Sequence, residues 1–237
     1  MKAIILAAGF GTRLKPLTDK VPKPLLPVNG VPLIHYPLQL LGKAGITEVV
    51  INLHHLGEQI EHSLGDGQKM GMRISYSWEQ EILGTGGGIK KSASFFSGDP
   101  FLVINSDVLM DLDLTQLLRF HKKHDGIASM VLIPRPPHSC FSWIQTNKEG
   151  RILRIVTTTE PEPTETFIYA GVQILTRRFL DYLPPGPSCI IQAGYQAALK
   201  TGEGIFGLVH HGYWNDLGTP ERLKQAERDL KFLTPYA

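Results

Sequence analysis

The sequence has few cysteines, little net charge and no long apolar run, and each lack removes a class of protein. Two cysteines in 237 residues, Cys140 and Cys189, cannot build a disulfide framework or a metal knuckle. They suit a reducing compartment, so a cytoplasmic location is the expectation. A formal net charge of +2 lacks the basic excess of a general nucleic-acid binder, and no nucleic-acid partner is expected. No stretch approaches about 18 consecutive apolar residues, so no membrane span is expected either. The apolar run Ala3 to Ala8 is too short for a signal-peptide core, and Gly-Phe-Gly-Thr-Arg interrupts it. With 42% apolar and 19% charged residues, the composition is that of an ordinary globular chain. Its length suits one α/β domain with a single large sheet.

What is present concentrates between Lys2 and Lys23. Ala3-Ile4-Ile5-Leu6-Ala7-Ala8 has the character of a strand buried on both faces. Gly9-Phe10-Gly11-Thr12-Arg13 follows it directly. Glycines at a strand end let the backbone approach a ligand and turn its amides toward an anion. Arg13, Lys15, Lys20 and Lys23 lie just downstream against one acid, Asp19. Such a turn with cations beside it suits a polyphosphate; the alternative is an ordinary turn and a solvated basic loop. Two better-known glycine motifs are absent. The dinucleotide fingerprint would need a third glycine where Leu14 stands, and no Gly-Lys-Ser/Thr completes a Walker A loop.

Strand and helix patterns alternate through the first half. Glu48–Leu53 and Met72–Ser77 read as strands, and helices are expected from Pro32 or Leu33 and over Leu56–Leu64. This order gives a doubly wound, mostly parallel Rossmann-like α/β sheet with helices on both faces, its ligands at the carboxyl ends of the strands. Gly9, His54 and Asp107 fall at such ends. Adjacent histidines on an extended strand point apart, so His54-His55 reads as structural or at the fringe of a substrate. Phe101-Leu-Val-Ile-Asn105-Ser-Asp107 runs an apolar strand into a lone carboxylate, which suits Mg²⁺ shared with phosphate oxygens or, alternatively, a cap on the next element. Asp111 and Asp113 compete for the metal role, with Asp113 better placed as a helix N-cap. Residues 141–146 and 151–157 read as a small antiparallel pair turned at Asn147–Gly150. Thr219-Pro220 opens a last helix with Arg222, Lys224 and Arg228 on its outer side. Glu81-Ile-Leu-Gly84-Thr85-Gly86-Gly87-Gly88 has too many glycines for a helix start chosen by propensity. It reads as a loop with something flat against its backbone, or as a merely flexible loop, before a helix over Ile89–Phe96.

Leu6-Ala7-Ala8-Gly9-x-Gly11-Thr12-Arg13-Leu14-x-Pro16-Leu17-Thr18 with Pro22-Lys23-Pro24-Leu25 resembles the signature of the sugar-1-phosphate nucleotidylyltransferases. So does Trp214-x-Asp216-x-Gly218-Thr219-Pro220. The resemblance runs from residue 2 to about residue 224. It implies that Leu6, Ala7, Ala8, Gly9, Gly11, Thr12, Arg13, Lys23, Gly84, Thr85 and Gly86 hold a nucleoside triphosphate. Asn105, Gly171 and Asp216 would face the sugar, Asp107 and Asp216 would hold Mg²⁺, and Arg13, Lys23, Asp107 and Asp216 would carry the chemistry. It also implies a nucleotide-binding half over residues 1–125, a sugar-binding half over 126–220 and a C-terminal helix over 221–237 of one domain. Many members carry Glu-Lys-Pro with a phosphate-binding lysine where this chain has Thr159-Glu-Pro-Glu-Pro163, which lacks it. The expected reaction joins an NTP and a sugar 1-phosphate, with UTP and N-acetylmuramate 1-phosphate ahead of GTP and mannose 1-phosphate. A phosphocholine-type cytidylyltransferase and a non-catalytic nucleotide-sugar sensor are the competing readings. Self-association is left open.

Overall fold

The computed structural model describes residues 1–98, 100–136, 141–156 and 166–232. Strands β1 (Lys2–Leu6), β2 (Pro27–Val28) and β3 (Val31–Pro32) precede helix α1 (His35–Lys43). Then come β4 (Glu48–Leu53), α2 (Gly57–Leu64), β5 (Arg73–Trp78), α3 (Gly84–Lys91), β6 (Phe101–Asn105) and β7 (Val108–Met110). The second half holds α4 (Leu114–His124), β8 (Ala128–Pro134), β9 (Trp143–Thr146), β10 (Ile152–Val156) and β11 (Phe167–Leu175). It ends with α5 (Gln196–Lys200), β12 (Ile205–Val209), β13 (Trp214–Asp216) and α6 (Pro220–Asp229).

The order β5-β4-β1-β6 is parallel throughout. Past β6 the sheet continues as antiparallel β11, which also pairs with β8 and β9. β10 adds to β9, and β12 lies parallel to β8. Successive residues of β1 supply both faces of the sheet, as the pleat requires. Ala3 and Ile5 pack with Leu38, Leu41, Ile60 and Leu117, from α1, α2 and α4. Ile4 packs on the other side with Ile89 of α3 and Ala198 of α5. The expected doubly wound arrangement is therefore present, with the antiparallel addition beyond β6.

Pro37 stands third in α1, where its missing N–H falls among the first-turn amides that have no helical partner. A smaller cluster of Leu14, Leu26, Val28, Leu33, Leu217, Leu223 and Ala226 seats α6 beneath the glycine loop. Leu14 is fully buried there, which is worth about 1.5–3 kcal/mol in holding that loop down.

Asp113 caps α4: its carboxylate accepts from the Thr115 amide and the Thr115 hydroxyl, each at 2.8 Å. These bonds hold its pKa below the ordinary carboxylate value. Asp113→Ala is expected to cost about 1 kcal/mol and to lower the melting temperature by about 2–4 °C. The deficit against the parent should shrink in acid, because the parent's cap is itself protonated there. A pH series of thermal melts on the two proteins measures both effects.

Candidate active site

The first cavity, of about 300 Å³, opens at the carboxyl ends of β1, β4 and β6. Leu6, Ala7, Ala8, Gly9, Gly11, Thr12, Arg13, Lys23, Gly84 and Thr85 line it, together with Asn105 and Asp107. Asn52 was not among the residues expected from sequence. It ends a hydrogen-bond relay: its Oδ1 accepts from the Ala7 amide at 2.7 Å, and its Nδ2 donates to Glu79 at 2.7 Å. Glu79, also buried, accepts from the Leu83 amide at 2.8 Å. The relay ties the start of the glycine loop to the start of α3. Its sequence signal was a lone amide inside the run Val49-Val-Ile-Asn-Leu53, since a buried amide must find partners. His54 and His55 stay outside the cavity lining: they donate to the carbonyls of Glu79 and Thr18 and pack on the Phe10 ring.

The second glycine concentration is helical, contrary to the expected loop: α3 begins at Gly84. A Cβ at Gly84 would lie 2.7 Å from the Ser188 carbonyl oxygen, and one at Gly87 2.4 Å from that of Gly186. One at Gly88 would lie 2.6 Å from Asn52 Nδ2. The object pressed against these glycines is thus the chain's own segment 186–190, along with the relay. Gly86 belongs to that contact; it donates to the Ser188 carbonyl at 2.8 Å and does not line the cavity. Tertiary contact here outweighs the helix propensity that argued for a loop.

The two carboxylates meet although 109 positions separate Asp107 from Asp216. β13 pairs antiparallel with β7, setting Asp216 opposite Val108, and the Leu217 amide donates to the Asp107 carbonyl at 3.0 Å. Lys23 Nζ donates to Asp107 Oδ2 in an ion pair mostly shielded from solvent. Arg222 Nη1 donates to Asp216 Oδ2 at 3.0 Å and to its carbonyl at 3.2 Å. Arg13 stands 4.0 Å from the same Oδ2. Arg222 therefore turns inward, correcting its expected place on the outer side of the last helix. Asp216 Oδ1 is buried and has no hydrogen-bond partner among the described residues. Burial, with Asp107 beside it, raises the Asp216 pKa against the pull of Lys23, Arg13 and Arg222. Asp111 Oδ1 lies 2.9 Å from His210 Nε2 and Asp113 caps α4, and neither residue lines the first cavity.

A second cavity, of about 280 Å³, continues from the first across Arg13, Asn105 and Asp107. Gly171 and Asp216 line it with Tyr169 and an apolar wall of Phe141, Ile144, Ile155, Ile191 and Trp214. Gly171 has φ +87°, and a Cβ there would strike Val108 Cγ2 at 2.5 Å. Sequence reading missed Tyr169, whose hydroxyl is buried without a partner among the described residues. Burial and Asp107 push that hydroxyl well above its ordinary pKa. The segment Thr159–Pro163, where the Glu-Lys-Pro lysine is missing, lies outside the described residues.

The sequence model for nucleotidyl transferases matches residues 2–231. The chain belongs to that family. A nucleotidyl transferase relative from Neisseria meningitidis, named N-acetylmuramate alpha-1-phosphate uridylyltransferase, is 39% identical over 96% of this chain and 97% of its own length. A mannose-1-phosphate guanylyltransferase from Mycobacterium tuberculosis is 36% identical over 96% of this chain, which spans 64% of that longer relative. The UTP–glucose-1-phosphate uridylyltransferase of Synechocystis sp. is also 36% identical, and 63% of its length is spanned. Among solved structures, a putative glucose-1-phosphate thymidylyltransferase from Bacillus anthracis in complex with a sucrose superposes with a TM-score of 0.84. It has 24% identity and covers 99% of this chain and 96% of its own, which establishes the shared fold.

Two outcomes follow from this geometry. Because burial disfavours the Asp216 carboxylate, the metal-free protein loses stability as pH rises from the ordinary aspartate range through the raised value. Asp216→Asn is expected to melt above the parent in EDTA at neutral pH, and the gap should close near pH 4. Thermal melts across pH check this. Asn52→Leu orphans the Ala7 amide and Glu79 together, and about 2–4 kcal/mol should be lost, read as a lower denaturation midpoint in urea.

Proposed function

We propose that this chain transfers a nucleoside monophosphate from an NTP to a sugar 1-phosphate, releasing pyrophosphate. The observation that carries the proposal is the meeting of two cavities at Arg13, Asn105 and Asp107, with Asp216 alongside. A triphosphate in the first and a sugar phosphate in the second would bring their phosphates to that junction. On this reading residues 1–125 serve the nucleotide, residues 126–220 the sugar, and helix α6 closes the junction from below.

In the proposed reaction a sugar-phosphate oxygen attacks the α-phosphorus in line. The new P–O bond forms as the bond to the β-phosphate bridging oxygen breaks, and pyrophosphate leaves with that electron pair. No covalent enzyme intermediate is required. Two anions must approach, so positioning and charge neutralisation are the protein's main tasks. Lys23 offsets charge at the reacting centre, and Arg13 stabilises the leaving pyrophosphate by paired hydrogen bonds. Asn105, Tyr169 and the Gly171 backbone hold the sugar against the wall of Phe141 and Trp214.

The residues fit a divalent cation: two neighbouring carboxylates face the junction, and Asp216 Oδ1 is a buried acceptor lacking a partner. Among the described residues no cluster of three or more His, Cys, Asp or Glu side chains forms a cage, which suits Mg²⁺ taking its other ligands from phosphate and water. Asp107 and Asp216 would hold it, and it would supply charge neutralisation on the phosphates.

UTP with N-acetylmuramate 1-phosphate, or a related substituted hexose 1-phosphate, is the leading substrate pair. The near full-length Neisseria relative and the apolar wall, suited to a methyl-bearing substituent, support it. GTP with mannose 1-phosphate is the second reading, favoured by the M. tuberculosis relative. A cytoplasmic setting is proposed, in keeping with the two cysteines.

Pyrophosphate release measured across a panel of NTPs and sugar 1-phosphates, with phosphocholine included, tests the proposal. Turnover with at least one sugar phosphate is expected, and silence across the panel would sink it. Asp107→Ala should lower turnover at least ~100-fold, the scale of losing one electrostatic stabiliser. Retained turnover would remove Asp107 from the mechanism.

A further inference from the structure

Three cations already face the two carboxylates of the junction: Lys23 on Asp107, and Arg222 with Arg13 on Asp216. The Lys23 side chain is 12% exposed and Asp107's is 22%. This ammonium is therefore seated inside the site, not waving at its rim. We propose that Lys23 occupies the divalent cation's place in the nucleotide-free protein, so that metal enters only as the triphosphate draws Lys23 away. The inference rests on the proposed reaction and adds to it an order of assembly.

The argument is electrostatic and geometric. Asp107 Oδ2 is spent on Lys23. An incoming divalent ion would need that oxygen, or would sit beside it against an ammonium a few ångströms away, where like charges repel strongly in a partly buried site. Arg13 and Arg222 attend the neighbouring Asp216 and add to the repulsion. Binding metal alone thus gathers positive charge beside three cations already seated there. A triphosphate reverses the balance, because it brings several negative charges and new acceptors for Lys23 and Arg13. Both residues line the nucleotide cavity as well as touching the carboxylates. Moving them onto phosphate oxygens releases Asp107 Oδ2. Asp216 Oδ1 already has no partner among the described residues, and Arg222 stays behind on Oδ2 to hold that carboxylate in orientation. Metal and nucleotide then reinforce one another by a single coupling factor that is the same in either direction.

The test is Mn²⁺ binding without nucleotide, followed by calorimetry and by electron paramagnetic resonance of the free ion. The parent, Lys23→Gln and the double variant Lys23→Gln with Asp107→Asn are compared, each checked for folding by its thermal melt. Lys23→Gln should bind Mn²⁺ at least about 10-fold more tightly than the parent, and the double variant should lose that gain. Equal affinity in parent and Lys23→Gln overturns the proposal. Should that variant not fold, the parent supplies the second readout. Acylation of Lys23 by an amine-reactive ester, read by peptide mass spectrometry, should be unchanged by Mn²⁺ alone; a change means that metal displaces the lysine unaided, which also overturns the proposal. Pyrophosphate release by the parent is measured in parallel. An inactive parent sinks the reaction while leaving the Mn²⁺ result to stand, whereas an active parent with no Lys23 effect sinks only the exchange.

Discussion

The structure depends on a three-residue strand pairing. β13 lies against β7, and through that ladder Asp216 is carried to Asp107. Two carboxylates held that close, one of them buried, resist ionising together unless cations attend them. The chain meets this constraint with Lys23, Arg13 and Arg222, drawn from the first loop and the last helix. The ends of the chain are thereby bound to one electrostatic centre. The cluster of Leu14, Leu217 and Leu223 beneath it supplies the apolar packing that keeps those ends in register.

Around that centre the two cavities divide along the change in sheet character. The parallel strands β1, β4 and β6 give the first its crevice at their carboxyl ends, as expected of a doubly wound sheet. Antiparallel β11 lies against β6 and contributes to the wall of the second. Gly171 falls within the stretch where the register of β11 against β8 shifts. Its left-handed backbone suits glycine, and a Cβ there would strike Val108.

Much of this was legible in the sequence because it rests on local rules. β1, β4 and β6 are built on apolar runs, the Asp113 and Thr219 caps stand directly before their helices, and the two signature strings mark the loop and Asp216. The rest was hidden because it depends on partners distant in sequence. GTGGG is helical because segment 186–190 presses on it, about a hundred residues away. Arg222 reads as a solvated helix position until strand β13 is seen to set Asp216 within 3.0 Å of its guanidinium. Asn52 could be flagged as a buried amide, yet its partner Glu79 could not be chosen from spacing. Tyr169 and Phe141 become site residues only when β9, β10 and β11 fold together.

The segment that strings 186–190 against α3 continues directly into a wide π-type turn over Ile190–Tyr195, and Ile191 there is part of the sugar wall. One continuous piece of chain thus braces helix α3 beside the first cavity and also supplies a wall of the second. The two cavities are consequently not independent modules. A substitution that lets α3 shift also pulls on Ile191, so a change of shape in one cavity drags on the other. Exchanging only one of these segments with a relative's would leave the two cavities mismatched.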